Sequence, residues 1–446
     1  MLEIKMPNGA HSILQTLLNN GFDSYIVGGC VRDSLLGICP KDWDICTSAK
    51  PQEIIECFNG RRVIETGLKH GTVTLCMDDG FYEVTTFRVD GAYSDNRHPD
   101  NVTFVSDVKY DLERRDFSIN AMAYNANTGL IDLFGGVDAI KAGLISCVGN
   151  PDDRFNEDGL RILRALRFAS VYGFSISAET AAAIHRNVSL LDNIAKERIC
   201  AEFCKLLAGR GVLNVLLDYK DIVTEIVPEL SPCIGFEQNN RFHQYTVYDH
   251  IAHAVANYHG NDNCVNVALL LHDIGKPRCY TEDENGGHFY GHGIPGEEIA
   301  KTVLERLKFD NKSQKEIAEL VLYHDAIIEP TYKVVRRWLN KVGVEQLRRL
   351  LDIRMADILA HAEGTQESRI VSRNQVLNIA EEIVASNQCF SLKDLAINGN
   401  DIMALGVPEG RTVGKLLNMA LSAVLDGTSQ NAKPDLIKYI QSQRGK

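Results

Sequence analysis

Asp42 and Asp44, one residue apart in KDWDICTSA, are the sharpest chemical feature of the sequence. On an extended segment residues i and i+2 face the same side, so both carboxylates can bind the same ions. Hard oxygen ligands suit Mg²⁺, and two such ions a few Å apart can activate a hydroxyl while neutralising charge on a nucleoside triphosphate. Upstream, Gly28-Gly29-Cys30-Val31-Arg32-Asp33 follows an apolar strand-like run and opens a helical one. Backbone amides there can face a phosphate without side-chain obstruction. Two aspartates alone read as a solvated strand edge, and a di-glycine turn alone is weak. Together they indicate metal-dependent phosphoryl transfer from a nucleotide.

The elements that must position these groups change character along the chain. The first 140 residues or so mix short β-rich runs (SYIVGG, WDICT, GTVTLCM, YEVTTFRV) with turn signals, the pattern of a small sheet domain with helices. From about 155 onward apolar residues recur three and four apart, as in LRILRALRFA and ERICAEFCKLLA, which predicts a nearly all-helical remainder. The fold class expected is α+β, a mixed-sheet head followed by a helical body. Polar breaks at 231–242 and 361–369 mark inner boundaries, giving expected domains over 1–145, 146–232, 233–365 and 366–446. The Gly-rich tract TEDENGGHFYGHGIPGEE is too short and varied for a linker and reads as a functional loop.

The 446 residues are too many for one ordinary core, and 45% hydrophobic with 24% charged residues is the balance of a globular protein. A net charge of -12 argues against a protein that coats nucleic acid non-specifically. One local basic stripe stands out, with Lys333, Arg336, Arg337, Lys341, Arg348, Arg349 and Arg354 on a helical pattern; a solvated helix face explains it equally well. No apolar run reaches membrane-spanning length and no leader pattern opens the chain, so a cytoplasmic protein without a membrane partner is expected. The 12 cysteines lack any CxxC pair and read as free thiols.

Two further constellations carry chemistry. In EDGLRILRALR the helical pattern sets Asp158 and Arg161 three apart, and Arg164 and Arg167 prolong the face. In the helical half, LLLHDIGKP places His272 and Asp273 together at a helix end, where an adjacent His and Asp can ligate a divalent ion. His250, His292, His324 and Asp357 lie on either side of that string, whereas His243, His253, His259, His288 and His361 read as ordinary polar histidines.

The strings VGGCVRDSLLG, KDWDICTSA, TGLKHGTVT, EVTTFRVDGAYSDNRHPDNVTF and DLERRDFSINAMAYN, in this order, resemble the head of the bacterial-type CCA-adding enzymes and the related bacterial poly(A) polymerases, within the polymerase-β-like nucleotidyltransferase superfamily. The resemblance runs from about residue 20 to 425. It implies that Glu83 is the third acidic residue beside Asp42 and Asp44, and that Arg115 and Asp116 contact the incoming triphosphate and its sugar together with Gly28, Gly29 and Arg32. It further implies that Asp158 and Arg161, continued by Arg164 and Arg167, read the base as a protein template, selecting CTP and ATP for addition to tRNA. The segment with Glu197 and Arg198 would brace that helix. LLLHDIGKP resembles the HD superfamily of metal-dependent phosphohydrolases, which implies that His250, His272, Asp273 and Asp357 hold a divalent transition metal and that His292 and His324 are extra ligands of a two-metal site. A phosphatase or cyclic phosphodiesterase acting on damaged 3' ends would follow. The alternatives left open are a poly(A) polymerase, an enzyme adding only CC or only A, and a non-catalytic RNA-binding relative.

Overall fold

The computed structural model describes residues 3–91, 101–284 and 286–444. The stretch AYSDNRHPD within one head motif, and Asn285 in the Gly-rich tract, lie outside the described residues. The chain divides into two units, Met1–Pro228 and Glu229–Lys446.

The first unit is built on a seven-stranded mixed sheet. Its strands are β1 (Ser24–Val27), β2 (Ile45–Thr47), β3 (Val63–Gly67), β4 (Thr72–Met77), β5 (Gly80–Thr86), β6 (Met122–Asn125) and β7 (Gly129–Asp132), in the order β3-β4-β5-β2-β1-β6-β7. Only β2 and β5 run parallel, with Ile45 opposite Val84; every other pairing is antiparallel. The β-branched and aromatic content of these runs suits a pleated surface buried on one face or both. β1 is buried along its whole length, while β5 alternates, with Tyr82 and Val84 inward and Phe81 and Glu83 outward. Helix α1 (Asn8–Asn19) buries Ile13, Leu14 and Leu17, one apolar stripe at helical spacing, in the core shared with Ile26, Ile45 and Val84.

Behind the sheet come helices. α2 (Leu160–Tyr172) packs against α3 (Lys196–Leu207), and close approach is possible because Gly209 and Gly211 meet the backbone of Ser170 and Gly173, where a Cβ would come within 2.5–2.9 Å.

The second unit is helical, including α4 (Val247–Ala256), α5 (Asn263–Leu271), α6 (Gly293–Arg306), α7 (Asn311–Tyr323), α8 (Tyr332–Val342), α9 (Val344–Ala360) and α10 (Glu367–Ala385). α5 is buried from Val265 to Leu271, a run that is apolar except for Asn266, and it carries the His-Asp string out of its C-terminus. The Gly-rich tract is not all loop: Thr281–Asp283 and Gly286–His288 form a small antiparallel hairpin, a departure from the all-helical expectation. Gly286 and Gly287 permit it, since a Cβ at either would lie 2.4 Å from the carbonyl of Asn239 or Gln238.

The basic stripe at 333–354 is largely tied down within this unit. Arg337 pairs with Asp426 at 2.6 Å, Arg348 with Glu381 at 2.8 Å, and Arg349 with Asp262 and Glu316 at 2.7 and 2.8 Å. Arg336 donates to Gln388, and Lys341 lies 3.7 Å from the centre of the Tyr323 ring. These cations are engaged by acceptors elsewhere in the unit, which is neither a free phosphate-binding stripe nor a simply solvated helix face.

Candidate active site and metal centre

Asp42 and Asp44 stand just before β2 and not within it. Their common direction still follows from chain alternation: Trp43 turns in to pack on the head core, so its two neighbours both face out. The Asp44 carbonyl accepts a hydrogen bond from Val27 N at 3.0 Å, fixing the segment against β1. Continuing the parallel register from Ile45 and Val84 by one residue sets Asp44 level with Glu83. Asp44 is exposed by area, but the protein crowded around it partly desolvates its carboxyl and raises it above the ordinary value; Arg115 opposes the shift, and Glu83 and Asp42 reinforce it. Within the described residues, Asp42, Asp44 and Glu83 are not drawn into a group as tight as those found in the second unit.

Gly28 adopts φ 76°, in the left-handed region open to glycine, and a Cβ there would meet Arg115 Nη1 at 2.7 Å. The glycine therefore leaves room for the guanidinium, which pairs with Asp111 at 3.2 Å. Arg32, by contrast, is 7% exposed and committed to Asp33 at 2.8 Å, to Asn120, and to the faces of Phe168 and Tyr172 at 5.1 and 5.0 Å.

Asp116 is buried with both oxygens engaged: Oδ1 accepts from Phe117 N and Asn120, and Oδ2 from Arg164 at 2.9 and 2.6 Å. Burial alone would raise this carboxyl, but Arg164 and Asn120 outweigh it and hold it well below the carboxylate range. The ionised group thus stabilises the fold fully above its unfolded value near pH ~4, and the contribution is lost as pH falls toward the lower folded value. Asp116→Asn should cost about 3 kcal/mol in urea unfolding at pH 7 by stranding Arg164, and the difference from the unsubstituted protein should shrink on acidification. A constant difference from pH 7 down to pH 3 would contradict this.

The 157–167 run does not form one helix. Asp158 is extended (φ -142°), a break that ends the helix Pro151–Glu157, and its Oδ1 accepts from Leu160 N to cap α2. Asp158 and Arg161 are consequently not partners. Asp158 pairs with Arg198 of α3 at 2.9 Å, and Arg161 pairs with Glu157 at 2.5 Å while donating to the Arg114 carbonyl at 3.2 Å. Arg167 pairs with Glu202 at 2.5 Å and lies 3.8 Å over the Phe168 ring. α3 thus grips α2 through two ion pairs, one at the residue capping the start of α2 and one near the middle of both helices. Glu202 and Asn120 were not evident in the sequence as members of this network, because only the packing of α3 on α2 and of the head on α2 brings them in; Glu157, four residues before Arg161, was legible from spacing.

In the second unit all six expected ligands converge. His250, His272 and Asp273 form one compact group, Asp273, His292 and His324 another, and His250, Asp357 and His361 a third; within each, one ligand atom per residue lies within 4.8 Å of the others. The ring orientations follow from hydrogen bonds. His272, His292 and His324 each donate Nδ1–H to the carbonyl three residues earlier, of Leu269, Phe289 and Val321, at 2.6 to 2.7 Å. Each therefore turns Nε2, which carries a lone pair in the neutral ring, toward Asp273, at 3.2, 3.3 and 3.5 Å respectively. His250 Nε2 lies 2.9 Å from Asp357. Burial would raise the two carboxyls, but His272 and Lys276 around Asp273, and His250 and His361 around Asp357, hold both well below the ordinary range. His272 Nε2 is buried without a hydrogen bond of good geometry and faces an Asp273 oxygen that Lys276 also approaches, so imidazole and carboxylate donors here fit a divalent ion.

Three of the histidines expected to be ordinary stand at this centre, and His361 joins one of its compact groups. His243, His288 and His361 line the same cavity of about 660 Å³, with Lys276 and Arg369. Lys276 Nζ reaches Asp273 at 2.7 Å and Gln238 at 2.8 Å. Two of these had a legible signal: Lys276 lies inside the HDIGK string, three past Asp273, and His361 is one helical turn past Asp357. Gln238 and His243 had none, since Gln238 sits in the polar break taken for a boundary and His243 immediately follows it. His253 instead stacks on Tyr245 at 4.0 Å.

Comparison with known families agrees with this architecture. The Poly A polymerase head domain matches residues 24–146, the RNA and SrmB-binding site of polymerase A residues 173–233, and tRNA nucleotidyltransferase domain 2 residues 293–440. Fold and head define a nucleotidyltransferase. The chain is 33% identical to the CCA-adding enzyme of Limosilactobacillus fermentum, covering 96% of this chain and 95% of that one, and 32% identical to that of Enterococcus faecalis over 98% and 96%. The solved Bacillus stearothermophilus CCA-adding enzyme, in complex with CTP, superposes with a TM-score of 0.71 at 29% identity over 98% of both chains. A Thermotoga maritima CCA-adding enzyme complexed with tRNA shares the fold, at 22% identity and a TM-score of 0.61. The chain belongs to the CCA-adding enzyme family.

Proposed function

We propose that this protein adds C and A to the 3' end of tRNA from CTP and ATP. The observation that carries the reading is the placement of Asp44 level with Glu83 and beside Arg115, which itself faces the di-glycine turn. Asp42, Asp44 and Glu83 would hold Mg²⁺, which when bound supplies a lowered pKa at the attacking hydroxyl and charge neutralisation at the triphosphate. Arg115 binds triphosphate oxygens over Gly28 and Gly29, and a guanidinium fork suits that geometry. Arg32 and Asp116 act through others: Arg32 fixes the turn, and Asp116 fixes Arg164. Residues 1–145 serve as the head, 146–232 carry the base-reading helix, and 366–446 contact tRNA, in a cytoplasmic protein.

Asp158 and Arg161 offer an acceptor and a donor to a base, each after exchanging its present partner, Arg198 or Glu157. Cytosine and adenine present an amino group to a carboxylate. Uracil and guanine present a carbonyl there, leaving the carboxylate unmet at a cost of about 1–3 kcal/mol. Incubation with tRNAs lacking CCA, CA or A, with CTP and ATP supplied separately, should yield completed CCA ends on sequencing; tails of A alone would instead indicate a poly(A) polymerase. In the same assay Asp158→Ala should admit UTP or GTP about tenfold more readily relative to CTP and ATP, and unchanged selectivity would remove Asp158 from base reading.

A second activity is favoured by the six converging ligands of the helical unit. His250, His272, Asp273 and Asp357, with His292 and His324, would hold one or two divalent transition metals, an HD-type phosphohydrolase centre. The metal when bound supplies an activated water and polarises a phosphoryl oxygen. Lys276 reaches into the same cavity and adds positive charge beside the phosphate. The activity would trim phosphate from damaged 3' ends before nucleotide addition.

A further inference from the structure

Of the polar break and the Gly-rich tract, neither has a role in holding metal apart from His292, yet together they build one wall of the metal cavity. Gly287 N donates to the Asn239 carbonyl at 3.0 Å, and Asn240 Nδ2 donates to the carbonyls of Gln238 and Gly287 at 3.0 and 3.3 Å. The wall is thereby pinned to the hairpin. On its floor side it supplies Gln238 to Lys276. Its outer part is of different chemistry: Arg241, Phe242, His288 and Tyr290 line the cavity, with Arg369 from α10. Tyr290 is 79% exposed and Phe242 42% exposed. Tyr290 does not hang free, because its ring is stacked on His288 at 5.1 Å and 11°, and His288 is in turn held by Asp283 at 3.0 Å. A flat, pre-ordered aromatic face thus stands at the mouth of a metal cavity, flanked by guanidinium groups. Arg241 is exposed, packs 4.9 Å from the Phe242 ring and has no carboxylate partner among the described residues. Arg369 approaches Asp357 only at 3.5 Å.

Resting on the phosphohydrolase reading of this centre, we infer that the rim of Arg241, Phe242, His288, Tyr290 and Arg369 is a nucleobase-and-phosphate subsite that makes the centre specific for nucleoside phosphates with an unpaired base. A small phosphate monoester needs only the floor. An exposed tyrosine locked parallel to a second ring gains from a base laid on its open face, and every base has such a face. The Arg241 guanidinium, and that of Arg369, which is shared with Asp357 at 3.5 Å, suit the phosphates of a mononucleotide or of an RNA 3' terminus. A cavity of about 660 Å³ has room for one nucleotide.

The test uses the full chain with added Mn²⁺ and compares the unsubstituted protein with Tyr290→Ala and Tyr290→Trp. Hydrolysis of adenosine 2',3'-cyclic phosphate should show KM raised at least about tenfold by Tyr290→Ala with kcat within twofold, the size of one lost stack, and Tyr290→Trp should restore it. Calorimetric binding of adenosine 2'-phosphate should weaken to the same degree in Tyr290→Ala, while binding of ribose 5-phosphate, which lacks a base, should not change. The same loss with a short RNA ending in a 2',3'-cyclic phosphate supports a terminal RNA residue as occupant; a loss confined to the mononucleotide supports a free nucleotide. Nucleotide incorporation into tRNA by the same variants reports folding. Unchanged KM and unchanged adenosine 2'-phosphate affinity in Tyr290→Ala, with hydrolysis intact, would overturn the subsite and leave the phosphohydrolase reading standing. Absence of hydrolysis in the unsubstituted protein would sink that reading, and the binding measurement would still decide whether Tyr290 holds a base.

Discussion

Asp44→Ala is expected to reduce incorporation of CTP and ATP into tRNA by about three orders of magnitude or more, the scale on which loss of a group stabilising transition-state charge is felt. The physical argument is local. Asp44 stands level with Glu83 and beside Arg115, where the surrounding protein partly desolvates its carboxyl, so its two oxygens face the place a metal-bound triphosphate would occupy. Asp44→Asn retains the shape and one acceptor oxygen but not the charge, and should be nearly as impaired. Folding should be little affected, because the side chain is exposed and the segment is fixed by Trp43 and by the Asp44 carbonyl, both kept in the variants. Phosphodiester hydrolysis by the helical unit should continue undiminished in the same preparation. Near-normal incorporation by Asp44→Ala would remove the head site as placed here.

His272→Ala is expected to do the reverse. Hydrolysis of a 2',3'-cyclic phosphate should fall by about two to three orders of magnitude, and chelation of the unsubstituted protein should produce a comparable loss that added divalent metal reverses. His272 is fully buried, fixed by the Leu269 carbonyl, and turns an otherwise unpartnered Nε2 toward Asp273. Its removal takes one donor and leaves Asp273 to be shared by fewer imidazoles. Metal content measured by inductively coupled plasma spectrometry should fall in parallel, which separates a lost ligand from a lost catalytic step. Hydrolysis that survives both substitution and chelation would show that this cluster is not a metal centre.

These opposite outcomes bear on how much the chain announces in its residue order. HDIGK announced His272 and Asp273 by residue type, and the other four ligands of the helical unit were legible through the resemblance to metal-dependent phosphohydrolases that this string carries. Lys276 and His361 were legible in principle from helical spacing. The cavity they face was not, since His243 and Gln238 come from a segment whose composition marks only a turn. In the head, the di-glycine turn and the two aspartates could be found by type and spacing, whereas their relation to Glu83 depends on β2 pairing parallel with β5 across a long stretch of chain.

The template run shows the limit most plainly. Periodicity put Asp158 and Arg161 on one helical face, and i, i+3 spacing alone favours pairing there. A Cβ at Gly159 would lie 3.0 Å from Leu190, a tight contact, and Asp158 caps the helix instead of joining it. Which arginine meets which carboxylate was then decided by α3, through Arg198 and Glu202. What the sequence by itself determined is the list of reactive groups and the elements that carry them, because side-chain chemistry and hydrophobic period are local properties. What only the tertiary structure decided is their partners: charge pairing, burial and a shared cavity are properties of distance, and the distances are set by strands and helices far apart in the chain.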